Sequence, residues 1–71
     1  MGTRKECLLW SAEGLLECAK IVLAIKMPDG NIELIVNPNA LEKIKYIENA
    51  YDDDLHLKTN KNIKIVNYMF Y

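Results

Sequence analysis

Lys20–Val36 reads KIVLAIKMPDGNIELIV, two runs rich in β-branched residues on either side of a PDG triplet. Pro28 presets φ for the first turn position, Asp29 suits the second, and Gly30 supplies the positive φ that closes a tight antiparallel connection. The segment, with its flanks at about residues 20–37, is therefore predicted to be a β-hairpin. Along its second arm Ile32, Leu34 and Val36 alternate against Glu33, Ile35 and Asn37, a period of two that sorts side chains to opposite faces. The expected arrangement sets Leu34 with Ile21, Leu23 and Ile25 on one face and Ile35 with Val22 and Ala24 on the other. Both faces of the sheet then carry apolar residues.

Downstream, NPNALEKIKYIENAY predicts a helix over about 38–51, with Asn37 as N-cap and Pro38 at the first helical position, where its missing N–H costs nothing. Leu41, Ile44, Ile47 and Tyr51 fall on its apolar side, and Tyr46 projects from the solvated side. Asn62–Tyr71, NIKIVNYMFY, is β-branched and aromatic and predicts a last strand over about 62–70. Upstream, Leu8, Ala12, Leu15, Ala19 and Val22 share a helical stripe with Leu16 beside it, predicting an N-terminal helix over about 4–18. Gly14 weakens its middle, and Ser11 is a second candidate cap. Trp10 lies off the stripe, either covering a second surface or standing exposed as an anchor.

The expected fold is one small α+β domain of order α-β-β-α-β spanning 1–71. Its three-stranded antiparallel sheet has order 2-1-3, since the second helix returns the chain so that the last strand pairs beside the first. The second helix covers one face. The first helix, or a second copy of the protein, covers the other.

A chain of 71 residues, 51% hydrophobic and 27% charged, builds a single core. It buries only about 60% of the surface its unfolded form exposes, so association would add useful buried area. A net charge of −1 gives no global footprint for nucleic acid. No run of about 18 apolar residues spans a bilayer. Glu6 stands where a myristoylation signal needs Ser or Thr, and Glu13 and Glu17 interrupt what a secretory signal would need. A cytoplasmic location is the expectation.

Cys7 and Cys18 form no C-x-x-C pair, and on one continuous helix they would lie about 16 Å apart along the axis, too far for a disulfide. Both read as small buried hydrophobes. The stretch NAYDDDLHLKTN, Asn49–Asn60, sets Asp52, Asp53 and Asp54 at a helix C-terminus, where the dipole disfavours anions. The simplest reading is a turn begun by an aspartate, with Leu55 and Leu57 tucked beneath the sheet. A calcium loop would alternate its ligands and contain a glycine, which this stretch does not, so no metal site is expected. His56 has no neighbouring nucleophile in sequence, and no phosphate-cradling glycine motif or zinc quartet occurs. No catalytic residue and no cofactor is assigned.

Three stretches, IKMPDGNIELIVNP, KIKYIENAYDDDLHLKTN and IKIVNYMF, together resemble a group of small uncharacterised proteins encoded by phages and prophages of low-GC Gram-positive bacteria. The resemblance covers roughly residues 19–71 and leaves the N-terminal helix outside the shared pattern. It implies a non-enzymatic protein that binds and inhibits or sequesters a host protein or defence complex, as anti-CRISPR proteins do. The contact residues assigned to that role are Asp52, Asp53, Asp54, Tyr46, Tyr51 and Trp10. An alternative is a self-associating structural or assembly protein that pairs through its last strand, as a homodimer, with Ile65, Val66, Tyr68 and Phe70 at the contact. A third reading, nucleic-acid binding through Lys58, Lys61 and Lys64 with Tyr68 and Phe70, is opposed by the adjacent acidic run.

Overall fold

The computed structural model describes residues 2–71. Its elements are α1 (Arg4–Ser11), β1 (Ile21–Lys26), β2 (Ile32–Asn37), α2 (Ala40–Ala50), β3 (His56–Leu57) and β4 (Asn60–Phe70). They form an α+β domain around one antiparallel sheet of order β2-β1-β4-β3. The sheet has four strands where three were expected, because His56 and Leu57 pair with Lys64 and Asn60 as a short outer strand. The last strand does lie beside the first, as antiparallel connectivity requires, and it begins two residues before the expected Asn62.

The hairpin closes through a three-residue loop. Gly30 N–H donates to the Met27 carbonyl at 2.9 Å, Met27 N–H donates to Asn31 at 2.8 Å, and Gly30 sits at φ 89°. Asp29 Oδ1 accepts from Asn31 N–H at 2.9 Å, which stiffens the turn. This loop sets the register: Leu23 opposes Ile35 and Ala24 opposes Leu34. Residues directly opposite share a face, so Ile35 joins the core side and Ile32, Leu34 and Val36 point outward, the reverse of the expected assignment for Leu34 and Ile35. A shift of one residue in pairing exchanges the two faces of a strand.

The helix of α2 starts later than its expected first residue. Asn39 is the N-cap, its Oδ1 accepting from Glu42 N–H at 3.1 Å. Asn37 instead accepts from Asn39 N–H in a turn before it, at 2.9 Å. The α1 helix stops at Ser11 and does not run to residue 18, because Gly14 adopts φ 80° and the chain turns there. Its start is capped by Thr3, whose Oγ1 accepts from Glu6 N–H at 3.1 Å. Cys7, within α1, and Cys18, beyond it, were both expected to be buried, and both are free and exposed.

Leu8, Ile21, Leu23, Ile47, Leu55 and Ile65 are the large, fully buried side chains of the core. Leu8 comes from α1 and Ile47 from α2, so both helices cover the same sheet face. Two contacts fix α1 there. Lys5 Nζ donates to the carbonyls of Glu48 and Tyr51 at 2.7 and 2.9 Å, at the C-terminal end of α2. Arg4 donates to the carbonyls of Ile65 and Val66, each at 3.3 Å, where β4 bulges as its partners pass from Ala24–Asn67 to Ile25–Ile65. The bulge switches which alternate residues of β4 face inward, so Ile65 and then Tyr68 and Phe70 turn toward the core. Neither helix covers the other face.

Candidate functional site

That other face is built row by row from the register. Lys20 lies opposite Tyr71 through reciprocal backbone hydrogen bonds. Val36, Val22 and Met69 form the next row, Leu34, Ala24 and Asn67 the third, and Ile32, Lys26 and Lys64 the last. Leu34 is 73% exposed, Met69 60%, Val36 58% and Ile32 51%. Together with half-buried Val22 and Ala24 they present one contiguous apolar patch, the kind of surface that marks an interaction site. A shallow apolar depression of about 280 Å³ lies at its centre, between Val22, Ala24, Leu34 and Met69. The charged side chains in these rows, Lys20, Lys26 and Lys64, are all basic.

The acidic stretch is mostly committed to the fold. Asp52 Oδ1 accepts from Asp54 N–H at 3.0 Å and His56 N–H at 2.9 Å, and Oδ2 pairs with Lys61 Nζ. The Lys61 ammonium, ahead of those two N–H groups, holds the Asp52 carboxyl down to about 2 against a smaller opposing desolvation. Leu55 follows at φ 64°, an unusual conformation for a branched side chain, and is buried. Its carbonyl accepts from Ile65 N–H at 3.0 Å. His56 Nδ1 lies 2.8 Å from the Lys61 carbonyl, which can only accept, so that nitrogen carries the proton. Asp53 and Asp54 are exposed, and the Asp53 carbonyl accepts from Lys5 N–H at 3.0 Å. The chain that follows α2 therefore also meets the N-terminal end of α1, through the Asp53 carbonyl and the Lys5 N–H.

The residues singled out in the sequence separate in space. Tyr51 is buried and packs edge-on against Tyr46 with centroids 6.3 Å apart, so it offers no contact surface. Burial raises its phenol pKa, with a further contribution from Tyr46. Tyr46 is exposed, and Lys43 Nζ sits 4.6 Å from its ring centroid. Trp10 is exposed on α1, and a Cβ at Gly2 would lie 2.7 Å from its ring, so the indole rests over that glycine. Among the self-association candidates, Ile65 is fully buried, while Tyr68 and Phe70 pack together on the core side at 5.9 Å. The nucleic-acid set does not form one patch either: Lys64 faces outward, Lys61 is paired to Asp52, and Tyr68 and Phe70 face inward.

Leu34, Val36 and Met69, the most exposed apolar residues of the uncovered face, were not singled out from sequence as contacts. The alternation IELIV carried the signal, but its outward set depended on the turn register. Among the described residues no three His, Cys, Asp or Glu side chains gather where they could hold a metal ion, and no helix is long and apolar enough to cross a membrane. Comparison with family models, with curated proteins and with solved structures returns no match.

Proposed function

We propose that this chain is a non-enzymatic binding protein that docks on another protein through the uncovered face of its sheet. In keeping with the phage-type resemblance, the partner is a host protein that is thereby sequestered or inhibited. One observation carries this reading: Leu34, Val36, Ile32 and Met69 stand exposed around an apolar centre, with both helices on the opposite side. Interfaces of this kind exclude charge from the centre and keep it at the rim. Here the rim charges Lys20, Lys26 and Lys64 share one sign, so the complementary surface is apolar and bordered by carboxylates.

The test is affinity capture from nuclease-treated host lysate. The reading expects a stoichiometric protein that binds the wild type, is lost with Met69→Glu and is weakened by Lys64→Glu and by added salt. It also expects capture to survive Asp53→Asn with Asp54→Asn, since those carboxylates lie outside the face. Capture that survives Met69→Glu, disappears with the aspartate pair or disappears on nuclease treatment would overturn it.

A further inference from the structure

The two edges of the sheet are treated differently. Where β4 runs beyond β3, the Ile65 and Val66 carbonyls accept from Arg4, and Tyr68 N–H donates to Asn67 Oδ1 at 2.9 Å. That edge is blunted by side chains and by a bulge. The β2 edge has no such protection. Ile32–Asn37 contains no proline, lysine or bulge, and it pairs only with β1.

Which backbone groups are free follows from the turn. Met27 and Asn31 form a hydrogen-bonded pair, so by the antiparallel alternation Glu33, Ile35 and Asn37 direct their N–H and C=O groups to β1. Ile32, Leu34 and Val36 direct theirs outward, and among the described residues nothing meets them. The same three residues carry the most exposed apolar side chains of the strand. An unpaired row of alternating donors and acceptors is satisfied by an extended strand, and the order of residues in β2 matches a copy of itself.

We infer that two copies of this chain pair antiparallel through β2, with the two-fold axis at Leu34. In this register Leu34 lies opposite Leu34 of the second copy, and Ile32 lies opposite Val36. All three outward residues then exchange backbone hydrogen bonds, and Glu33 faces Ile35. The neighbouring dyads are worse. An axis at Glu33 brings two carboxylates face to face, and an axis at Ile35 sets Ile32 against Pro38, which has no N–H to give. The pairing joins two sheets of order β2-β1-β4-β3 into one eight-stranded sheet whose uncovered faces are continuous.

Sedimentation of the wild-type chain over a range of concentrations should show a reversible species of twice the 8.2 kDa chain mass. Leu34→Pro deletes one outward N–H at an edge that tolerates proline, and Leu34→Lys places a charge on the dyad from an exposed position. Both should be monomeric with an unchanged circular dichroism spectrum. In a Cys7→Ser, Cys18→Ser background, Leu34→Cys should oxidise to a disulfide-linked dimer, whereas Glu33→Cys should not, because only position 34 meets itself. A monomeric wild type would overturn the inference. So would a dimer that survives Leu34→Pro, which would mean that the faces pack and not the edges, or equal cross-linking at positions 33 and 34. Should Leu34→Pro unfold the chain, Leu34→Lys and the cross-linking decide. A wild-type monomer that still captured a partner through Met69 would refute this pairing and leave the docking reading intact.

Discussion

Replacing Lys5 with methionine keeps the aliphatic stem of the side chain and removes a cation from the C-terminal end of α2. The ammonium donates to the Glu48 and Tyr51 carbonyls at 2.7 and 2.9 Å, and no basic residue of α2 itself stands in its last turn. Hydrogen bonds from charged donors contribute about 1.5–3 kcal/mol each when buried, but these carbonyls lie near the surface and water can replace much of the bond. Adding about 0.3–1 kcal/mol for the lost dipole interaction, the net loss is about 1–2 kcal/mol. A chain of this length holds a total of about 4–10 kcal/mol, so the fraction is large. Urea denaturation followed by circular dichroism should show a lower midpoint with an unchanged slope, and the thermal midpoint should fall by about 4–16 °C. The control is Lys45→Met on the exposed side of α2, expected within about 0.5 kcal/mol of wild type. If Lys5→Met melts no lower than Lys45→Met, Lys5 does not join the two helices energetically, and the account of how α1 is held fails.

Three further outcomes are expected. Because the folded-state pKa of Asp52 is lowered to about 2, its contribution is complete above the ordinary carboxylate range near 4 and is lost as the pH falls toward 2. Carboxyl-carbon NMR should place its midpoint near 2, Asp52→Asn should lessen the acid sensitivity between those values, and a midpoint near 4 would contradict the Lys61 pairing. At Leu55, alanine should cost about 2–5 kcal/mol for the lost core volume. Glycine should be no worse than alanine there despite its greater flexibility, since it relieves the positive φ, and a markedly less stable glycine variant would refute that reasoning. Finally, both Cys7 and Cys18 are exposed and should react with an aromatic disulfide reagent in the native state, without the lag that local opening of a buried thiol imposes.

The legible parts of this protein were those set by neighbours along the chain. PDG dictated a tight turn whatever surrounded it. The period of ALEKIKYIENA dictated a helix, and the β-branched runs dictated strands, so the α+β class and the pairing of last strand beside first followed from local chemistry and connectivity. The Asp52 turn, with Leu55 beneath it, was legible for the same reason.

What depended on distant partners was not legible. A glycine at the centre of an apolar stripe is compatible with a helix on paper, but at Gly14 the chain takes φ 80° and turns, so α1 ends at Ser11 while Leu8 still reaches the same core as Ile47. The buried state of Ile65, the fourth strand and the capping of α2 by Lys5 each join residues that sequence separates. The decisive case is the hairpin. Both arms were evident, but the side on which Leu34 and Val36 emerge was set by one loop residue, because strand faces alternate with a period of two. Local chemistry thus determined that two apolar faces exist, and tertiary packing alone decided which of them the helices cover and which is left for a partner.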